Sequence, residues 1–234
     1  MIITDRFVFL HLHKSGGTFV NELLLRCLPD ARQHGYHLPR HLIPATAAQL
    51  PMLGLVRNPW SYYVSWYAFQ KSQAQPNALF RILSDDGRSD FATTLRNMLD
   101  LGMPNGRLDL LLTQLPNAYI NRGLNLPAFA LAPIRNSSLG FYSFLYRYMY
   151  GAESSSLHLG RIEELRTMLP RLFDRVGQPV TAAMEAFIAK ELPRNASKHD
   201  RYENYYDEAL RSLVAERDAD LIAAHGYRFG SEPA

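Results

Sequence analysis

The chain of 234 residues contains one cysteine, Cys27, so no internal disulfide bond is possible. Cys27 lies among leucines in a segment with helical spacing, which favours an apolar packing role over a nucleophilic one. No stretch reaches the roughly 18 apolar residues that span a bilayer, and the first residues lack the basic and apolar run of a secretory signal. These absences predict a soluble protein of the reducing cytoplasm.

A dense block of lysine and arginine is also missing from the sequence. Charged residues make up 20% of the chain, and the formal net charge is +3. Proteins that bind nucleic acid normally carry a denser basic stripe, so the slight basic excess favours a small anionic ligand and no nucleic-acid partner. A hydrophobic content of 47% is sufficient for a sizeable core within one domain.

Two strand-to-helix units are predicted near the start of the chain. An apolar run from Phe7 to Leu12 is followed by a glycine-containing loop and a second apolar run from Phe19 to Leu28. Met52 to Val56 has the pattern of a short buried strand, and Asn58 and Pro59 then supply an N-cap and a first helical position. The two units predict an α/β fold with a central parallel sheet flanked by helices.

The segment from Ser72 to Arg135 is less regular and is predicted to be a mostly helical, substrate-side insertion within a single domain. Its predicted helices cover residues 77–84, 91–101 and 107–114. The aromatic segment 139–150 fits either a helix or a strand, with its side chains in the core or in a pocket wall. Further predicted elements are a strand at 157–159, a helix at 163–176, a turn and helix within 180–192, and a long helix at 205–224.

The string HKSGGT lies where the first predicted strand passes into a helix. Its residues are His13, Lys14, Ser15, Gly16, Gly17 and Thr18. At such a junction the backbone amides can face an anion, the glycines allow close approach, and Lys14 adds a full positive charge to the partial charge of the helix end. A Walker A loop has the order GxxxxGK[ST], whereas here the lysine precedes the glycines, so an ordinary ATPase or GTPase is disfavoured.

A second anion-binding pair is predicted in the string VRNPWSYYVSWY. Arg57 closes the second predicted strand, and Ser65 lies on the helix that follows. A guanidinium fork with a nearby hydroxyl suits a phosphate group. Two separate anion sites imply a ligand with two separated phosphates. Four residues of the same helix share one face and are assigned to the core: Trp60, Tyr63, Val64 and Tyr67.

Both strings resemble the nucleotide-binding motifs of sulfotransferases that use 3′-phosphoadenosine 5′-phosphosulfate (PAPS). HKSGGT is similar to the family's 5′-phosphosulfate loop, which implies that Lys14 contacts the oxygen between phosphate and sulfate while the rest of the loop holds the 5′-phosphate. The string at Arg57 is similar to the family's 3′-phosphate motif, in which a serine follows eight residues after the arginine, here Ser65. The resemblance implies a P-loop-NTPase-like sheet, PAPS as co-substrate, sulfuryl transfer to an acceptor hydroxyl, and no metal.

Three later strings resemble the branch of that family that includes carbohydrate sulfotransferases. They are HLGRIEEL at 158–165, NASKHDRYENYY at 195–206 and GYRF at 226–229. The resemblance implies that Asn195, Ser197 and Lys198 approach the nucleotide, with capping of a surface turn or helix as the alternative role of Asn195 and Ser197. Arg161 and Glu163 are assigned to a structural pair. A carbohydrate hydroxyl is the implied acceptor, and the aromatic segment 139–150 would also suit a lipid-like or aromatic alcohol.

Sulfuryl transfer also requires a base that takes the proton of the acceptor hydroxyl. His34, His37 and His41 cluster in the string QHGYHLPRH. Some relatives in the resembled branch use a histidine from a similar GH-containing segment, which favours His37, but Tyr36 separates it from Gly35 and keeps His34 as a rival. The spacing HxxHxxxH without a carboxylate or cysteine partner is weak support for zinc.

Two other functions fit parts of the sequence. A nucleotide kinase or other phosphotransferase on a related fold would use ATP with Mg²⁺, and it would require the Walker A loop that the sequence lacks. A non-catalytic nucleotide-binding relative would keep the two anion sites without a working base.

Overall fold

The computed structural model describes residues 1–152, 154–191 and 199–231. These residues form two compact units, each built from two separate stretches of the chain. Unit 1 contains the described residues of 1–57 and 146–191, and unit 2 contains those of 58–145 and 199–231. The predicted insertion, Ser72 to Arg135, belongs to unit 2, and the single-domain organisation stays a prediction.

Unit 1 contains a sheet that has five strands within the described part of the chain. In chain order the strands are β1 (Ile2–Ile3), β2 (Val8–Leu10), β3 (Arg32–Gln33), β4 (Met52–Val56) and β5 (Leu157–Arg161). Their spatial order is β3-β1-β2-β4-β5. Strands β2, β4 and β5 are parallel, with Val8 opposite Met52 and Met52 opposite Leu157. The prediction of a central parallel sheet is confirmed for these three strands. Beyond β2, β1 pairs antiparallel with both β2 and β3, and β3 forms the edge on that side.

The helices of the described residues are short, and none combines the length and apolar character needed to cross a bilayer. In chain order they are α1 (Gly17–Cys27), α2 (Pro59–Lys71), α3 (Ala78–Leu83), α4 (Phe91–Leu99), α5 (Arg107–Gln114), α6 (Ala128–Leu131), α7 (Phe141–Tyr150), α8 (Leu165–Arg175), α9 (Ala182–Lys190), α10 (Glu208–Arg217) and α11 (Ala219–His225). The ambiguous aromatic segment is therefore helical and forms α7.

The core of unit 1 lies between one face of the sheet and the helices α1, α8 and α9. Phe7, directly before β2, packs against Phe173 of α8, with ring centroids 6.0 Å apart. Phe19 of α1 meets Phe187 of α9 edge-on at 5.1 Å. Cys27 is half-buried and packs against this core, as its apolar neighbours predict. Burial of these aromatic side chains anchors α1, and with it the loop that precedes α1, to the sheet.

Unit 2 has an aromatic core of its own around α2. The Asn58 side chain accepts hydrogen bonds from the backbone amides of Trp60 and Ser61, so the predicted N-cap is confirmed. Tyr62 stacks on Tyr142 of α7, with ring centroids 3.8 Å apart. The four residues assigned to the core are all buried: Trp60, Tyr63, Val64 and Tyr67.

The prediction of one continuous helix over 205–224 is wrong. The chain forms α10 and α11, which are separated at Asp218. Asp218 is fully buried, and its carboxylate accepts hydrogen bonds from the Tyr63 hydroxyl at 2.7 Å and from the Ser143 amide at 2.9 Å. The carbonyl of Arg217 accepts a hydrogen bond from the Gly140 amide at 2.7 Å. Because these partners come from distant sequence, helical periodicity alone does not predict the break.

Candidate functional site

The HKSGGT string forms the turn between β2 and α1, as predicted. Gly16 is the N-cap of α1 and has a left-handed backbone conformation with φ 80°, which glycine adopts without strain. A Cβ atom on Gly17 would overlap the ring of His11, so the second glycine is required by close packing. The two glycines therefore have different roles: one permits the turn, and the other lets α1 begin directly against the end of β2.

The amino terminus of α1 offers a positive end to an anion. All residues of α1 are described, and its first turn contains no acidic side chain and no side-chain cap at Gly16. The first amides of a helix have no partners within the helix, and they carry its partial positive charge. The geometry of this end therefore suits a phosphate group.

Lys14 and Arg57 come together within unit 1. Arg57 follows β4 directly, and its Nη1 donates a hydrogen bond to the backbone oxygen of Lys14 at 3.1 Å. Lys14 has a left-handed backbone conformation with φ 53°. Burial, and then the positive charge of Arg57, lower the pKa of Lys14 to about 8. Two cationic side chains held side by side at the ends of parallel strands favour the binding of an anion.

Ser15 and His13 give the loop internal support. Ser15 is fully buried, and its hydroxyl donates to the backbone oxygen of His13 at 3.2 Å. The structure therefore shows a loop-stabilising contact for the Ser15 hydroxyl. Its predicted contact with a phosphate stays a prediction, as does that of Thr18.

Three buried histidines form a cluster beside this loop: His11, His13 and His37. The rings of His13 and His37 are stacked, with centroids 3.7 Å apart, and the rings of His11 and His37 lie 4.2 Å apart. The string QHGYHLPRH contributes only His37 to this histidine cluster. His34 and His41 are exposed, and His41 instead contacts the ring of Tyr148 at 5.9 Å.

The protonation of His37 follows from its hydrogen bond. Its Nδ1 lies 2.7 Å from the backbone oxygen of His11. A carbonyl oxygen only accepts, so Nδ1 carries the proton and Nε2 is the unprotonated nitrogen of the neutral ring. Burial is the main cause that lowers the pKa of His37 well below its usual value, and the neighbouring His13 and His11 add to it. His37 is therefore a neutral imidazole near pH 7.

The sequence did not single out His11 and Asn21 as functional residues. His11 Nδ1 lies 3.1 Å from Asn21 Nδ2, on the first turns of α1. The amide nitrogen is a donor, so His11 Nδ1 accepts and the proton of its neutral ring is on Nε2. The sequence signal for this arrangement was the spacing of Gly17 and Asn21, which lie four residues apart and therefore share one face of α1. Asn21 thus holds the His11 ring that Gly17 accommodates, while the backbone carbonyl of His11 orients His37.

Other predicted site residues belong to unit 2 or lie outside the described residues. Ser65 is buried on α2 and belongs to unit 2. Its role at a 3′-phosphate stays a prediction. Three others lie outside the described residues, namely Asn195, Ser197 and Lys198. Arg161 forms an ion pair with Glu164 at 2.7 Å. Across residues 1–152, 154–191 and 199–231, no three His, Cys, Asp or Glu side chains are placed to hold a metal ion.

Comparison with known proteins gives a fold relationship. No protein-family model matches the chain, and no curated protein matches it. Among solved structures, the chain is similar to the mouse sulfotransferase SULT7A1, described in complex with PAP, with a TM-score of 0.50 and 13% sequence identity. The similarity covers 91% of this chain and 84% of the mouse chain. The α/β fold expected from the sequence, a mostly parallel sheet flanked by helices, is therefore confirmed as a fold that a sulfotransferase adopts.

Proposed function

We propose that this chain is a PAPS-dependent sulfotransferase that transfers a sulfuryl group to an acceptor hydroxyl. The observation that carries the proposal is the meeting of Lys14 and Arg57 beside the amino terminus of α1. They lie just beyond the carboxyl ends of β2 and β4, which are neighbouring parallel strands. Ligands of open α/β sheets bind at this edge of the sheet.

The loop and the arginine would divide the nucleotide between them. The turn from His13 to Thr18 would hold the 5′-phosphosulfate of PAPS, and Arg57 would bind the 3′-phosphate through its guanidinium fork. The fold relationship supports this choice of ligand, because the mouse sulfotransferase that adopts a similar fold is described in complex with PAP.

Lys14 would stabilise the leaving group. In the transfer, the bond between sulfur and the phosphate oxygen breaks while the acceptor oxygen forms a bond to sulfur. Negative charge then develops on the departing phosphate oxygen. Because the pKa of Lys14 is about 8, its amine is mostly charged near pH 7 and can stabilise this oxygen.

His37 would accept the proton of the acceptor hydroxyl. Its Nδ1 proton is held by the His11 carbonyl, so the ring has its unprotonated Nε2 available as a base. Burial keeps the ring neutral, which is the state that a base requires. The rival His34 is exposed and lies outside the histidine cluster, so we favour His37.

The acceptor class is proposed on sequence resemblance. The later strings of the chain resemble carbohydrate sulfotransferases, so a sugar hydroxyl is the first acceptor to test. Aromatic and lipid-like alcohols are the second class, because half-buried tyrosines of α7, Tyr146 and Tyr148, offer aromatic surface. We place this activity in the cytoplasm, in keeping with the single cysteine of the sequence.

The proposal is tested by ligand binding and by Lys14→Ala. Adenosine 3′,5′-bisphosphate (PAP) should raise the Tm more than ATP with Mg²⁺ does. Lys14→Ala should retain the circular dichroism of the wild type and lose about 100-fold or more of its rate of sulfate transfer from PAPS. Lys190→Ala removes a charge from an exposed site of the same unit and should leave the rate unchanged.

Three outcomes would count against the proposal. Retained transfer by Lys14→Ala would remove the assigned role of the lysine. Greater stabilisation by ATP with Mg²⁺ would favour a kinase. Binding of PAP with no transfer to any acceptor in a panel of sugars, phenols and lipid alcohols would indicate a non-catalytic relative.

A further inference from the structure

The buried phenol of Tyr150 makes two hydrogen bonds to a single residue of β4. Its hydroxyl donates to the backbone oxygen of Leu55 at 2.7 Å and accepts from the Leu55 amide at 3.1 Å. Tyr150 is fully buried at the end of α7, and both residues belong to unit 1. A side chain thus supplies the donor for the carbonyl of a strand residue, which a neighbouring strand normally does.

The register of the sheet explains why Leu55 needs this partner. The Val8 amide donates to the oxygen of Pro51, so the odd-numbered residues along this part of the chain direct their backbone groups toward β2. Leu55 is one of these residues. The pairing of β2 with β4 ends with Leu10 opposite Gly54, a bridge in which the Leu55 amide faces the Leu10 carbonyl. The ladder stops there, so the Tyr150 hydroxyl supplies the donor for the Leu55 carbonyl at the point where the two parallel strands separate.

Gly54 makes room for this contact. A Cβ atom at Gly54 would lie 2.5 Å from Tyr150 Cε1 and 2.7 Å from its hydroxyl. Glycine weakens a strand interior on its own, and it is found where another group must approach the backbone closely. The end of α7 is also held, because Arg40 Nη1 donates to the backbone oxygen of Ala152 at 3.0 Å. Gly54 and Arg40 thus keep the phenol at the end of β4.

We propose that Tyr150 is a positioning residue that sets Arg57 for phosphate binding, an inference that rests on the proposed function. Arg57 lies two residues beyond Leu55, and its guanidinium contacts the Lys14 backbone. Without the hydroxyl, the Leu55 carbonyl loses the donor that Tyr150 supplies in a buried setting. Unsatisfied backbone groups favour a shift of the strand end toward other partners. Such a shift moves Arg57 away from the anion site.

The test is the affinity of Tyr150→Phe for PAP, measured by isothermal titration calorimetry. This variant keeps the ring and removes only the hydroxyl, and we expect its Kd for PAP to rise about tenfold. Phe173→Leu is the matched control, since it loosens the core of the same unit beside Phe7, at the amino ends of β2 and β4. At a similar loss of Tm, Phe173→Leu should retain the wild-type Kd.

A double-mutant cycle separates positioning from general destabilisation. If Tyr150 acts through Arg57, the Tyr150→Phe change should have little effect on the PAP affinity of an Arg57→Ala protein. An undiminished tenfold effect in that background would overturn the inference. Gly54→Ala approaches the same contact from the strand side and should also weaken PAP binding. It replaces Tyr150→Phe in the cycle if that variant does not fold.

The outcomes distinguish this inference from the proposed function. A wild-type protein that does not bind PAP overturns both. A wild-type protein that binds PAP, with Tyr150→Phe and Gly54→Ala variants that bind it equally well, overturns the role of Tyr150 alone.

Discussion

Replacing Tyr63 by phenylalanine removes a hydroxyl that serves two buried partners in unit 2. The hydroxyl donates to Asp218 Oδ2 at 2.7 Å and accepts from the Tyr142 amide at 3.1 Å. Burial raises the pKa of Asp218 to about 6, although hydrogen bonds from Ser143 and Tyr63 partly oppose this rise. The loss of stability in Tyr63→Phe should therefore depend on pH.

The magnitude follows from the shift of the Asp218 pKa. Its folded value of about 6 exceeds the reference value of 3.8 by about 2 units, or about 3 kcal/mol. This stabilising contribution is complete below about pH 4, and it is lost as the pH rises through about 6. Tyr63→Phe removes a bond to the carboxylate, so the pKa of Asp218 should rise further. We expect a loss of about 2 kcal/mol at pH 5 and about 4 kcal/mol at pH 8.

The assay is urea unfolding at pH 5 and pH 8, followed by circular dichroism. Tyr206→Phe is the control, because its hydroxyl donates one bond, to the Trp60 oxygen at 2.8 Å, and should cost about 1 kcal/mol at both pH values. In an Asp218→Asn background, the pH dependence of the Tyr63→Phe effect should disappear. Equal losses at pH 5 and pH 8 in the Asp218 protein would refute the reasoning.

Two further predictions concern the candidate site. In an assay with labelled PAPS, His37→Gln should lower the rate of sulfate transfer about 100-fold or more, because the acceptor hydroxyl loses its base. His34→Gln should leave the rate nearly unchanged. The reverse order of the two effects would identify His34 as the base. Burial, and then the positive charge of Arg57, lower the pKa of Lys14 to about 8, so Lys14 loses its charge above this pH. The affinity for PAP should therefore fall up to about tenfold per pH unit above pH 8. Calorimetry over pH 7 to 9.5 should show this fall in the wild type and not in Lys14→Met, and a flat wild-type profile would contradict it.

The parts of the fold that depend on local chemistry were predictable. The apolar run at Met52–Val56 coincides with β4, and Asn58 caps α2 as expected. A short run of apolar side chains and an N-cap act over a few residues, so the sequence contains the information needed to place them. The two-residue strands β1 and β3 were not predicted, because such short strands have no periodicity and exist through their pairing.

The distinction between helix and strand in the aromatic segment also depended on distant contacts. Its tyrosines and phenylalanines fit either period, and the structure resolves them as α7. The break at Asp218 has the same origin, since Tyr63 lies 155 positions earlier in the chain. A buried carboxylate that finds its donors on other helices overrides the helical pattern around it.

By itself, the sequence determined the tight turn before α1 and the two cations beside it. HKSGGT requires a tight turn at a helix start, and parallel neighbouring strands bring Lys14 and Arg57 to one edge of the sheet. Only the tertiary structure decided which histidine of the string QHGYHLPRH packs beside this turn and which side chain holds the end of β4. His37 meets His11 and His13, and Tyr150 bonds to Leu55, through contacts between segments 26 and 95 positions apart. Local residue patterns cannot specify such contacts, because they depend on how the whole unit packs.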